Sequence, residues 1–508
     1  MIVWGWSGMS HDASLAVFNK SRDRLELLFA GHSERYSRIK NDKNINSGIL
    51  REALEFGEPD RVHFYERPLL KKTRQLWAGQ YKLLRKESPW NYLMDRVASA
   101  TSPFMLPRMQ RTSHHRSHAA AGYYTSPFTN AAILCIDSIG EWETLTIWNG
   151  TGRRLKKKFS QSYPHSVGIW YSAMTQRIGL KPQEHEYILM GMAAAGDPDK
   201  YYRDIRNDFI KKMPSADDPR VLFNENLHRG CRWWREDLTS VQDYADIAAA
   251  VQRIYEEIFS NLVAATAKLV NSKNIVLMGG CALNCVANSI ARTMFDNVWI
   301  MPNPGDAGSS IGAVLAHEQR FLPWMGAYLG HNIEGEYPVD DVVDQLLAKK
   351  ITAVAAGRAE FGPRALGHRS ILADPRGADV KHRVNKIKKR EAFRPFAPMI
   401  LQEHANEYFE YYHTPGNIVA PYMQMTVKCK RPDLFPAIVH YDNSSRLQTV
   451  SETDCPDVYR LLKTWYNKTG CPMLLNTSLN VKGEPLVNTR ADAERWAGLN
   501  GVDVCLPK

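Results

Sequence analysis

Apolar positions come in short runs punctuated by Gly, Ser, Asp and Pro, and the punctuation predicts the elements. Ile2 to Trp6 and Ala13 to Phe18 are apolar runs joined by the polar stretch Ser7 to Asp12, which predicts a β-hairpin with His11 and Asp12 at its tip. Three further runs predict buried strands. Ala131 to Ile136 ends on Asp137, Asn274 to Met278 ends on Gly279-Gly280, and Asn297 to Met301 leads through Pro302 into Gly305-Asp306-Ala307-Gly308. Val241 to Leu269 carries a helical pattern. Strands ending in Gly and Asp with helices between them predict an α/β fold whose ligands sit at strand ends. The rhythm fades through Ala316 to Tyr337, so a domain boundary is placed near residue 335, dividing the chain into 1–335 and 336–508. The second part mixes strands (Ile351 to Ala356, Met423 to Cys429) with helices (Cys455 to Asn467), an α+β pattern. No repeat is visible by eye.

Composition narrows the class. The 508 residues suffice for two to four domains, and 44% apolar with 23% charged content is that of a soluble globular protein. No run of eighteen apolar residues predicts a membrane span, and Met1 to Val17 lacks the pattern of a secretion signal. Eight cysteines fit neither a paired framework nor a zinc ribbon, so they are read as reduced thiols of a cytoplasmic protein. The net charge of +11 is spread over runs such as Lys71 to Arg74, Arg153 to Lys158, and Arg229 to Arg235 with Trp233 and Trp234 inside it. Such runs are either solvated surface or a track for a phosphate backbone with stacking rings.

Chemistry concentrates in three places. Glu360 to Arg376 and Lys388 to Pro398 crowd arginines among Gly and Pro, with Phe361, Phe393 and Phe396 interspersed; guanidinium forks in a shaped setting suit a phosphorylated ligand, and a solvated basic loop is the alternative. His114 and His118 share one face if their segment is helical, and with Asp137 and Asp306 they make a nitrogen and oxygen set for a divalent ion such as Fe, Mn or Zn. His11, with a pKa near neutrality, suits a general base, or is structural. Gly279, Gly280 and Gly305 would let backbone amides approach a phosphate or adenosine, while Asn284 and Asn288 either face that pocket or lie on a helix surface.

Taken in order, Ser10 to Ser14, His114 to His118, Glu186 to Gly196, Gly279 to Asn288, Gly305 to Gly308, Glu360 to Arg376, Phe393 to Pro398 and Asn476 to Pro485 resemble the NodU/CmcH/TobZ family of O-carbamoyltransferases over nearly the whole chain. The resemblance implies an amino-terminal Kae-like duplicated domain of the actin-like ATPase fold and a carboxy-terminal YrdC-like domain. It implies carbamoyl adenylate made from ATP and carbamoyl phosphate, then carbamoyl transfer to an acceptor hydroxyl. His114, His118, Asp137 and Asp306 resemble the family's metal ligands, Mg joining the candidate ions, and His11 its acceptor-side catalytic histidine. Arg364, Lys388, Arg390, Arg394 and Arg446, with Ser478 and Asn480, resemble its carbamoyl phosphate and ATP site. Ile188 and Ser138 depart from the family pattern, where Lys and Gly are usual. The basic exterior points to a polyanionic acceptor, DNA or a nucleotide bearing a hydroxymethylated pyrimidine such as hydroxymethylcytosine. A small natural product, an antibiotic or a lipo-oligosaccharide, is the rival acceptor. A non-catalytic nucleic-acid-binding protein and a threonylcarbamoyl transferase acting on tRNA are the rival classes.

Overall fold

The computed structural model describes every residue except Lys86, Ser102, Pro103, Ala378, Glu391, Ala392, Phe393, Pro395, Thr414 and Pro415, and of Arg85 the backbone alone. Phe393, read as part of the arginine-rich pocket, therefore lies outside the described residues. The chain divides into two compact units, Met1–Ser33 with Lys43–Trp324 and Glu34–Asp42 with Met325–Lys508. The division falls after Trp324 rather than near 335, and an early segment belongs to the later unit. A reading that proceeds linearly along the chain has no means of seeing that exchange.

In the first unit, β1 (Ile2–Ser7), β2 (Ser14–Lys20) and β3 (Leu25–His32) form an antiparallel meander, with Trp4 opposite Val17 in the predicted hairpin. Strands β4 (Arg61–Phe64) and β5 (Met109–Arg111) add in parallel, giving the order β3-β2-β1-β4-β5. Helix α1 (His114–Thr125) leads into a second meander of β6 (Asn130–Gly140), β7 (Glu143–Thr151) and β8 (Arg154–Ser162). After the long helix α2 (Val241–Leu269), β9 (Asn274–Met278) and β10 (Asn297–Trp299) join in parallel, giving β10-β9-β6-β7-β8. The two sheets share one strand order and one set of strand directions. The unit is thus duplicated in topology, as an actin-like fold requires.

Helix α3 (Ser309–Glu318) is wedged between β1 and α1 at backbone distance. A Cβ on Gly5 of β1 would fall 2.0 Å from the carbonyl oxygen of Ser310, and one on Gly312 would fall 2.0 Å from that of Ser117 in α1. Only glycine allows such approach. The wedge brings the start of α1, the carboxyl end of β6 and the loop before α3 to one place.

The second unit is built on a mixed sheet of β11 (Ile351–Ala355), β12 (Arg369–Ala373), β13 (Ala397–Leu401), β14 (Gln448–Val450), β15 (Met473–Ser478) and β16 (Val504–Cys505), in the order β14-β13-β15-β12-β11-β16. Its four central strands pair antiparallel, and each edge strand joins in parallel. Among the described residues no helix is long and apolar enough to cross a membrane. All eight cysteines are free thiols.

Candidate functional site

The four residues read as a ligand set converge in the first unit. His114 opens α1, His118 follows one turn later on the same face, Asp137 lies towards the carboxyl end of β6, and Asp306 lies in the loop before α3. His114 Nε2 is 3.0 Å from His118 Nε2, 3.0 Å from Asp137 Oδ2 and 3.3 Å from Asp306 Oδ1. His118 Nε2 is 3.7 Å and 3.4 Å from the same two oxygens. Ligand atoms about 2.1 Å from one divalent ion stand about 3.0 Å apart across an octahedral edge and about 3.4 Å across a tetrahedral one, so the donor set fits such an ion.

The surroundings aim these donors. Ser309 Oγ meets His118 Nδ1 at 3.2 Å, leaving Nε2 to face inward. The Gly280 N–H donates to Asp137 Oδ1 at 3.1 Å. Gly140 carries no side chain because a Cβ there would fall 2.3 Å from the His114 ring. His115 turns away and pairs its Nδ1 with Thr146 at 2.9 Å. Burial opposes ionisation of Asp137, yet hydrogen bonds from His114 and His118 hold its carboxyl well below the usual range. The His114 charge does the same for Asp306, also against burial.

His11 sits at the hairpin tip with Nδ1 3.1 Å from Asp12 and Nε2 3.0 Å from the Gln183 carbonyl. Burial lowers its pKa, but the Asp12 carboxylate and the Asp306 charge outweigh it and push the value up to about 10. The expectation of an untuned imidazole is corrected: both nitrogens face acceptors, and the ring holds a proton at neutral pH. Sequence reasoning also missed Glu66, which is buried just beyond β4; its Oε1 accepts from Lys71 Nζ at 2.7 Å, and its Oε2 lies 3.8 Å from His114 Nδ1. A strand ending in a carboxylate, the signal that found Asp137, was present there too.

The glycine loops are mixed. Gly279 needs its positive φ of 88°, and a Cβ would strike the Ile136 carbonyl at 2.2 Å, while Gly305 faces open space. Asn284 does not project freely: it caps the short helix Cys285–Asn288, accepting from the Ala287 N–H at 3.2 Å and donating to Gln252 Oε1 at 3.0 Å. Asn288 is buried and donates to the Ala282 carbonyl, so it is not a helix-surface residue.

In the second unit the arginine-rich segments hold braces as well as cations that gather near Lys388. Arg369 is fully buried and donates to the carbonyls of Asn488, Ala356, His368 and His331. Arg376 pairs with Asp374 at 2.9 Å. Neither belongs to an anion pocket, which corrects that part of the sequence reading. Glu360 accepts the N–H groups of Leu366, His368 and Arg369 through one oxygen and so shapes the loop that carries half-buried Arg364. Phe361 and Phe396 are buried, with the Arg390 guanidinium 4.4 Å above the Phe396 ring.

Lys388 is buried, and its Nζ contacts Ser478 Oγ at 2.9 Å and the Asn480 side-chain oxygen. Burial, reinforced by Arg390, Arg394 and Lys40, drives its pKa well below that of an ordinary lysine. Those neighbours are all cations, and an anion would relieve their mutual repulsion. Arg446 ends the strand Ser444–Arg446, and its buried Nε has no hydrogen-bond partner among the described residues. Departing Ile188 is packed in the core of the first unit.

The runs read as nucleic-acid tracks look different in three dimensions. Trp234 is buried, its indole N–H on Asp208, and Arg235 pairs with Asp237 and Asp204. Arg154 to Lys158 lie on β8, the edge strand of its sheet, where charged side chains also guard against edge pairing.

Both parts of the chain match known families. Residues 3–315 match the carbamoyltransferase N-terminus and residues 343–506 the carbamoyltransferase C-terminus. The chain belongs to the carbamoyltransferase family and is a transferase. It is 32% identical to an uncharacterized protein of Synechocystis sp., over 97% of this chain and 93% of that one. Nodulation protein NolNO of Sinorhizobium fredii is 30% identical over 92% of this chain and 74% of its own, and nodulation protein U of Rhizobium fredii is 36% identical over 77% and 72%.

Proposed function

We propose that the second unit, YrdC-like in role, joins ATP and carbamoyl phosphate into carbamoyl adenylate, one water cleaving carbamoyl phosphate to carbamate and phosphate and the carbamate displacing pyrophosphate from ATP, and that the first unit transfers the carbamoyl group to an acceptor hydroxyl with release of AMP. The convergence of His114, His118, Asp137 and Asp306 within reach of one ion carries this reading. Support for the first step comes from the cation-rich cluster of Lys388, Arg390 and Arg394 beside Ser478 and Asn480, with Arg364 and Arg446 as further phosphate partners. Such cations offset the charge that develops as phosphoryl and adenylyl bonds break. Of the three glycines, Gly279 and Gly280 already give their N–H groups to the Pro304 carbonyl and to Asp137 Oδ1, which leaves the Gly305 amide for the adenylate.

His114, His118, Asp137 and Asp306 would hold a divalent ion, which would supply Lewis acidity at a phosphate oxygen. The remaining work falls to the protein's own groups. Asp12 orients His11 through Nδ1; once Nε2 has left the Gln183 carbonyl and given its proton to solvent, the neutral ring takes the proton of the attacking hydroxyl there. The hydroxyl oxygen bonds to the carbamoyl carbon, and the bond from that carbon to the AMP oxygen breaks. For the acceptor we favour a hydroxymethylated pyrimidine, as a nucleotide or in DNA, on the strength of the net charge of +11.

The test separates the two steps. His11→Asn is expected to cut carbamoyl transfer by at least about 100-fold while leaving pyrophosphate exchange into ATP, dependent on carbamoyl phosphate, intact. Arg364→Ala is expected to cut that exchange by about 100-fold. Equal loss of exchange in both variants would overturn the division. Mass analysis of nucleosides after incubation with hydroxymethylcytosine DNA reads the acceptor; no gain of a carbamoyl mass removes it.

A further inference from the structure

One buried charge in the first unit takes part in none of this. Arg74, in helix Pro68–Trp77, is 5% exposed, yet its guanidinium makes no hydrogen bond among the described residues, and its Nε and Nη1 are sealed from solvent. Its contact is the Tyr163 ring, 5.8 Å away. The carboxylate whose field reaches it, Glu66, is already bonded to Lys71. Folded proteins seldom leave such donors empty, and a buried charge without a counter-charge is costlier still.

Further aromatic rings cluster around Tyr163. Trp77 lies 5.7 Å edge-on to Tyr163 and 5.9 Å from Trp142, and Tyr163 is also edge-on to His228 at 5.8 Å. The Trp142 indole N–H donates to Thr73 Oγ1 at 3.1 Å, fixing that ring against the same helix. Trp77 nevertheless remains 61% exposed. A cation without an anion, one ring away from a largely exposed indole, is completed by a ligand that joins a negative group to a flat ring.

This stretch is also wired to the metal-type cluster. Lys71 Nζ holds both Glu66, which faces His114, and Ser10, the neighbour of His11. The Arg67 N–H donates to Glu141, which follows Gly140 at the end of β6. A ligand anchored on this helix is thereby presented towards the four converging side chains.

We propose that Arg74 and Trp77 form the anchoring subsite for the acceptor and take a nucleoside monophosphate unit, the phosphate on Arg74 through Nη2, its one guanidinium nitrogen not sealed from solvent, and the base on Trp77. This rests on the reading that the first unit carries out carbamoyl transfer. The unpartnered cation disfavours neutral sugars and cationic aminoglycosides. It admits a free nucleotide or one unit of a single strand, and the two sources are told apart by titrating each.

The experiment follows tryptophan emission of the full-length protein titrated with 5-hydroxymethyldeoxycytidine, its 5′-monophosphate, and a short oligonucleotide containing it. The monophosphate is expected to bind at least tenfold more tightly than the nucleoside. Arg74→Met is expected to abolish that difference, and Trp77→Leu to weaken both ligands. If the methionine variant does not fold, Arg74→Lys, which keeps the charge but loses the fork, is expected to shrink the difference. Equal binding of nucleoside and monophosphate by the unaltered protein, or a difference that survives these Arg74 substitutions, would overturn the proposal. Pyrophosphate exchange measured on the same samples is expected to be unchanged by the substitutions. Its absence from the unaltered protein would sink the carbamoyl adenylate reading while leaving the binding result to stand or fall alone.

Discussion

His63 of β4 is buried against His317, ring centroids 4.7 Å apart, with neither of its ring nitrogens hydrogen-bonded among the described residues. Burial, with the charges of His317, Arg61 and Lys20, pushes its pKa down to about 3. Between that value and the ordinary 6.5, the unfolded chain binds a proton that the folded one refuses, so stability falls as pH drops below 6.5. At pH 5 the loss is about 2 kcal/mol. Calorimetry at pH 7.5 and 5 is expected to show His63→Leu sparing about 4 °C of the acid-induced fall in melting temperature. Gly140 offers a second test at the same scale. Gly140→Ala places a methyl against the His114 ring and is expected to weaken divalent-ion binding at least about tenfold by titration calorimetry, with the far-UV dichroism unchanged.

At the level of elements, the wedge of α3 between β1 and α1 is held by glycine. Gly312→Ala drives a methyl into the Ser117 carbonyl with no flexible side chain to give way, and about 3 kcal/mol or more of destabilisation is expected in chemical denaturation. The same packing explains what the sequence disclosed. Strands β1, β2, β6, β9 and β10 and helix α2 are legible because buried strands are unbroken apolar runs and a half-buried helix has a stripe. Helix α1 is buried on nearly every side, so Ala119-Ala120-Ala121-Gly122 carries no stripe, and its helicity had to be assumed before His114 and His118 could be paired. Strand β8 hid because its lysines and arginines face solvent at a sheet edge. The duplication hid because it lies in strand order and direction, which two unrelated sets of side chains satisfy equally. The ligand set was legible from residue type at strand ends; Arg74, a cation in a basic run, was not, since burial alone sets it apart from Lys72.

For the molecule as a whole, the segment 34–42 is the feature a linear division misses. Arg35 is buried and donates to the Gly362 carbonyl at 2.8 Å, while Arg38 donates to the carbonyls of Leu486 at 2.5 Å and Pro485 at 2.9 Å. A fragment of residues 325–508 lacks these donors and leaves buried acceptors bare. It is expected to melt at least about 5 °C below the same fragment mixed with a peptide of residues 34–42, by scanning fluorimetry. During synthesis that peptide leaves the ribosome long before its partner strands exist. Two arginines must therefore wait, solvated and unclaimed, through the making of nearly the entire first unit, and the later unit closes only by reaching back for them. Its maturation is tied to the survival of a stretch made well before the rest of it.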